Sequence, residues 1–162
     1  MRPQLGAWFR GYGVPIIYFG GFASQTYVDD IKRHVEADGR PSVLIYAGDL
    51  DPSGVEIYED FMRRSACFDK YIKIAVHPAQ TKQYGLVRSY YEKNDTRNKK
   101  FKEKYEALYQ VEVEAIEPAT LRRLYEETLF KFFDLSKYSA VVEREEYDRA
   151  ALAEIARRND NA

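Results

Sequence analysis

At 162 residues, with 25 Lys plus Arg against 26 Asp plus Glu and a net charge of -1, the chain has no global field that would draw it to nucleic acid or a membrane surface. Any polyanion would have to be held by a local patch or a metal ion. A single cysteine, Cys67, excludes an internal disulfide, and neither an apolar run of membrane-spanning length nor a signal-peptide pattern occurs, so a cytoplasmic location is expected.

The length suits one domain with a real core, and no Ser/Gly-rich linker or low-complexity tract marks a second. The expected organisation is a domain over 1–135 and a C-terminal helix and tail over 136–162. Met1 to Gln4 is not a typical start of an element, whereas Leu5, Trp8 and Phe9 fall at once at helical spacing. The sequence is therefore expected to begin inside an element.

"GVPIIYFG", Gly13 to Gly20, reads as a buried strand. A turn and a helix from about Ser24 to Ala37 follow, with Ser24 as N-cap and Gly39 as stop. Pro41 to Ala47 is apolar almost throughout, as in a parallel strand covered on both faces. Val55, Ile57, Tyr58, Phe61 and Met62 are spaced for a helix to Arg64, and "YIKIAV" makes a third strand. Beyond Pro78 the pattern predicts a short helical piece to Tyr84, an irregular segment to Thr96 and a charged helix from about Asn98 to Leu108. "VEVEAI" then reads as a strand by its period-two alternation. Pro118 opens a helix to about Phe133, and a mostly polar helix starts near Tyr138.

Strands alternating with helices point to βαβ crossovers and a parallel sheet, in which ligands bind at the carboxyl ends of strands. Asp49 and Asp51 stand at such an end. Two carboxylates at i and i+2 can converge on one hard divalent cation, with the intervening residue turned away and Gly54 letting the backbone pass close. Mg²⁺ fits best, with Mn²⁺ as the alternative, because it binds through one or two carboxylates, keeps most of its waters and meets a substrate phosphate. Pro52, Ser53 and Gly54 also open a helix whose amides favour an anion.

Helix capping alone would account for an isolated Asp-x-Asp-Pro-Ser-Gly. The spacing of Asp49, Asp51, Ser53, Gly54 and Asp60 also matches a calcium-binding EF-hand loop. A strand precedes Asp49, Pro52 fits that loop poorly, and Glu56 stands where it expects an apolar residue, so calcium is rejected.

Together, "GGFASQT" (Gly20 to Thr26) and "YAGDLDPSG" (Tyr46 to Gly54) resemble the Toprim domain, the metal-dependent catalytic fold of topoisomerases, bacterial primases and some nucleases. The Gly-Asp-x-Asp-Pro-Ser-Gly form is similar to Toprim proteins of phage and actinobacterial type and to the A subunit of type IIB topoisomerases. "KNDTRNKKF" (Lys93 to Phe101) and "VEVEAIEPATLRRL" (Val111 to Leu124) are similar to downstream segments, so the resemblance runs from about Gly13 to Leu129. It implies an α/β, Toprim-like Rossmannoid parallel sheet flanked by helices, with a C-terminal helical extension. It further implies carboxylates that hold Mg²⁺ against a DNA phosphate, and either a nucleophilic tyrosine from another domain or partner subunit, or a metal-directed water.

The family's first motif, a glutamate, would lie at or before Met1, and nothing from Met1 to Arg10 fills that role. Either the start of the sequence leaves it out, or Glu56 or Asp29 substitutes, or the copy is catalytically weakened. The expected function is Mg²⁺-dependent DNA cleavage or cleavage and religation; the alternative is a DNA-binding or regulatory module of a larger assembly. A homodimer is implied by resemblance only.

Lys93, Arg97, Lys99 and Lys100 belong to a local positive excess that could track a DNA backbone, although a solvated helix face explains such a run nearly as well. Arg97 is the leading phosphate contact outside the acidic pair. His77, following the third strand, is a candidate acid-base or phosphate group. Gly20 and Gly21 give the tight strand-to-helix turn, and Ser24 and Gln25 bring donors to a helix N-terminus.

Overall fold

The structure, a computed structural model, describes residues 2–91 and 96–160. The chain divides into two compact units, 1–128 and 129–162. It is mixed α/β and mostly helical, with a small parallel sheet. No helix among the described residues is long and apolar enough to cross a membrane.

In the first unit, α1 (Arg2–Phe9) buries Leu5 and Phe9, as their spacing requires, and a 3-10 turn ends at Gly13, whose φ of 67° lies in the left-handed region. The stretch from 14 to 19, expected as a strand, joins no strand. Pro15 supplies no N–H to a ladder, and the segment is fixed through its rings. Phe19 stacks on Tyr46 at 6.1 Å and on Phe61 at 4.8 Å.

Helix α2 (Gln25–Asp38) begins where Ser24 Oγ accepts the Tyr27 N–H at 3.2 Å and ends at Gly39, left-handed with φ 68°. Strand β1 (Val43–Ala47), α3 (Pro52–Ser65) and β2 (Lys70–Ala75) form a βαβ unit. The two strands pair in parallel from Val43 opposite Lys70 to Tyr46 opposite Lys73, and the register then slips so that Ala47 meets Ala75. Bonds from Gly48 N–H to the Ala75 carbonyl (2.9 Å) and from Val76 N–H to the Gly48 carbonyl (2.8 Å) carry the pairing beyond β1.

Helix α4 (Pro78–Gln83), the short β3 (Ser89–Tyr90), α5 (Arg97–Tyr105) and β4 (Tyr109–Gln110) follow, with β3 and β4 antiparallel. "VEVEAI" does not continue as a strand. Val111 makes one antiparallel bridge to Leu50, and Val113–Ala115 closes into a 3-10 turn. A strand needs a backbone partner, and the chain leaving β1 turns into α3 at Asp51, so no strand among the described residues pairs with 113–116. The alternation survives as burial: Val111 and Val113 are buried while Glu112 and Glu114 are exposed.

Leu50, Val76, Phe101, Val111, Val113, Ile116 and Leu121 share one core cluster. Helix α6 (Pro118–Leu129) buries Leu121, and its Tyr125 packs on Phe9 at 5.7 Å.

The second unit is built on α7 (Leu135–Asp160), which starts three residues before the predicted Tyr138. Asp134 Oδ1 accepts the N–H groups of Ser136 and Lys137, each at 3.1 Å, and so caps the helix earlier than its apolar pattern suggests. Its surface carries i,i+4 ion pairs such as Arg144 with Asp148 at 3.1 Å.

Candidate functional site

The two aspartates leave the sheet on either side of an anchor. Leu50 between them is 1% exposed, and its backbone exchanges two hydrogen bonds with Val111, at 2.9 and 3.1 Å. That bridge brings the following segment alongside the strand end, where the Val113 N–H donates to Asp49 Oδ1 at 2.8 Å.

Asp51 is the N-cap of α3. Its Oδ1 accepts the Gly54 N–H at 2.6 Å, and Pro52 occupies the first helical position. Gly54 is dictated by contact rather than by φ: a Cβ there would lie 2.7 Å from the Asp49 carbonyl oxygen. The first turn of α3 therefore lies directly on the backbone of Asp49. Ser53, in the same turn, shares a 3.0 Å hydrogen bond with the hydroxyl of the buried Tyr91.

The acidic character of the site shows in its titration. Burial raises the pKa of Asp49; the Val113 amide opposes this, and the charges of Asp51, Glu112 and Glu114 add to the rise. Tyr46 is pushed up to about 12, first by burial and then by Asp49, Tyr58 and Asp51. Its ring stacks on Tyr58 at 4.5 Å and lies across Gly48, where a Cβ would fall 2.2 Å from the phenol oxygen.

Lys73 on β2 completes the neighbourhood. Burial, with the Lys104 charge, pulls its pKa down to about 8, against the opposite pull of Asp49, Asp51 and Glu59. Lys73, Glu112 and Glu114 escaped the sequence reading. The strand alternation of "YIKIAV" and "VEVE" showed which residues share a face, but not that both faces meet the same strand end.

Several other predicted residues have structural partners. The Gln80 side chain accepts the His77 backbone N–H at 2.8 Å, and His77 Nε2 is 2.7 Å from the Lys73 carbonyl oxygen, so that ring nitrogen is committed to the backbone. Ser24 caps α2. Gln25 donates to Asp29 at 2.7 Å and accepts from Arg64 at 3.0 Å, tying α2 to α3.

Arg97 pairs with Glu56 at 3.5 Å, and Lys100 with Glu59 at 2.5 Å; Lys99 is exposed on α5. Gly20 and Gly21 form the bend before α2, and nothing lies within 4 Å of a Cβ placed on Gly21. Lys93 lies outside the described residues.

Neither proposed substitute for the missing glutamate stands among the charges acting on Asp49. Glu56 is paired with Arg97, and Asp29 with Gln25. Among the described residues, no group of three or more His, Cys, Asp or Glu side chains could hold a metal ion.

A two-carboxylate Mg²⁺ site remains chemically compatible. The second oxygens of Asp49 and Asp51 make no hydrogen bond among the described residues, and Mg²⁺ characteristically takes one or two carboxylates and keeps its waters. No family model matches the chain, and comparison with the curated proteins and with the solved structures likewise finds no match.

Proposed function

We propose that the chain is a Toprim-like, Mg²⁺-dependent enzyme that cleaves, or cleaves and reseals, DNA phosphodiesters in the cytoplasm. The observation that carries this reading is the pair Asp49 and Asp51, held at the carboxyl end of β1 by the buried Leu50 and set against the first turn of α3. Bound Mg²⁺ would supply charge stabilisation at the phosphodiester oxygens.

The protein's part is to hold that ion and the phosphate. Asp49 is oriented by the Val113 amide and Asp51 by the Gly54 amide, so each offers a remaining oxygen from a fixed carboxylate. The Tyr46 ring lies across Gly48 on one side of the strand end. A nucleophilic tyrosine would come from a partner; without one, the attacking group is water.

Asp51's capping role favours a second reading, because a helix cap needs no metal. On that reading the chain is a DNA-binding or regulatory module of a larger assembly. Incubation of supercoiled plasmid with Mg²⁺ separates the two. Conversion to nicked, linear or relaxed DNA that disappears with EDTA and in Asp49→Ala, Asp51→Ala supports the enzyme. DNA binding with no conversion, from a folded protein, supports the module.

A further inference from the structure

Both aspartates are held from one antiparallel ribbon. Strands β3 and β4 pair through Ser89 opposite Gln110 and Tyr90 opposite Tyr109. Leaving β4, the chain bridges Leu50 through Val111 and gives the Val113 amide to Asp49 at 2.8 Å. From the ribbon's other end, Tyr91 follows β3 directly and reaches the first turn of α3, where its hydroxyl lies 3.0 Å from Ser53 Oγ.

Ser53 stands between Pro52, which opens α3, and Gly54, whose N–H is accepted by Asp51 Oδ1 at 2.6 Å and whose Cα packs on the Asp49 carbonyl. A hold on Ser53 is therefore a hold on the turn that orients Asp51 and abuts Asp49. Tyr91 is suited to supply it. The residue is 2% exposed and belongs to the largest fully buried side chains, so packing fixes the place of its phenol oxygen. The two hydroxyls are each other's only hydrogen-bond partner among the described residues. A buried phenol without a partner is costly, and that cost keeps the two groups together.

We propose that Tyr91 is a positioning residue of the Asp49–Asp51 site: through Ser53 it fixes the first turn of α3, and with it the placement of Asp51 relative to Asp49 that a shared divalent cation requires. This rests on the reading of the pair as a divalent-cation site. Mg²⁺ demands near-ideal octahedral geometry, so displacement of one carboxylate lowers affinity.

The test is calorimetric titration of the full chain with Mn²⁺, beside melting in EDTA, for the parent, Tyr91→Phe, Ser53→Ala and the double variant. Tyr91→Phe keeps the ring and should weaken Mn²⁺ binding about tenfold, as loss of a group that orients a metal ligand does. Ser53→Ala and the double variant should be weakened to the same extent, because each breaks the same link. Melting should follow a different order. Ser53→Ala leaves the buried phenol unpartnered and should melt lowest, whereas the double variant, in which neither group seeks a hydrogen bond, should melt above it.

Mn²⁺ binding by Tyr91→Phe at the parent affinity, or affinity that recovers together with melting in the double variant, would make Tyr91 structural and overturn the inference with the cation reading intact. Absence of Mn²⁺ binding in the parent, or binding that survives Asp49→Asn with Asp51→Asn, would overturn the cation reading and this inference with it.

Discussion

Replacing Gly54 by Ala sets helix propensity against packing. Within a helix the change ordinarily stabilises by roughly 0.5–1 kcal/mol. Here the new methyl would stand 2.7 Å from the Asp49 carbonyl oxygen, 3.2 Å from its carbon and 3.3 Å from the Asp49 Cβ. All three atoms belong to the residue that holds the site, and two of them are backbone, so no side-chain rotation relieves the contact. Overpacking of this kind costs roughly 1–3 kcal/mol, leaving a net loss of roughly 0–2.5 kcal/mol after the propensity gain.

At about 2–4 °C per kcal/mol for a chain of this size, thermal unfolding followed by circular dichroism should show a melting temperature lower by up to roughly 10 °C. The control is Gly21→Ala, where nothing lies within 4 Å of the new atom. A shift of Asp49 relative to Asp51 by part of an ångström should also slow Mg²⁺-dependent plasmid cleavage by at least about tenfold. A Gly54→Ala protein that melts above the parent temperature, as helix propensity alone would give, would refute the argument that contact, rather than chance, selects glycine there.

Asp51→Asn should separate cap from ligand. Asparagine still accepts the Gly54 N–H, so the melting temperature should hold while cleavage is lost, whereas Asp51→Ala should also lose about 1 kcal/mol of stability. The raised pKa of Asp49 means that folding favours its protonated form. Its contribution is therefore fully present below the ordinary aspartate range and lost as pH rises through the raised value. Asp49→Asn removes that loss, so urea titrations should find the variant as stable as the parent in acid and more stable at neutral pH; a less stable variant at neutral pH contradicts the assignment. Arg64 bonds the Ala23 carbonyl at 2.7 Å, Gln25 at 3.0 Å and Asp60 at 3.0 Å, with a side chain 20% exposed. Arg64→Ala should cost roughly 1–3 kcal/mol in denaturant unfolding, and Lys at that position should recover less than half, since a single ammonium cannot span all three acceptors.

Local chemistry made much of the chain legible in advance. Ser24 and Gly39 bracket α2 because a hydroxyl cap and a left-handed glycine act within a few residues of themselves. The apolar runs of β1 and β2 and the Asp-Pro-Ser-Gly start of α3 are equally local, and with them came the position of Asp49 and Asp51 at a strand end. Hydrogen-bond partners far along the chain were not legible. Whether an extended segment joins a sheet depends on backbone that must be delivered to it, so 14–19 remained outside the ladder and "VEVEAI" closed into a turn after one bridge. For the same reason only the tertiary structure could bring the Val113 amide to Asp49, set Glu112 and Glu114 in its field, and set Lys73 in the field of both aspartates. Residue type and spacing decide what each side chain can do; the folded backbone decides which of them share a dielectric, and with it a charge state.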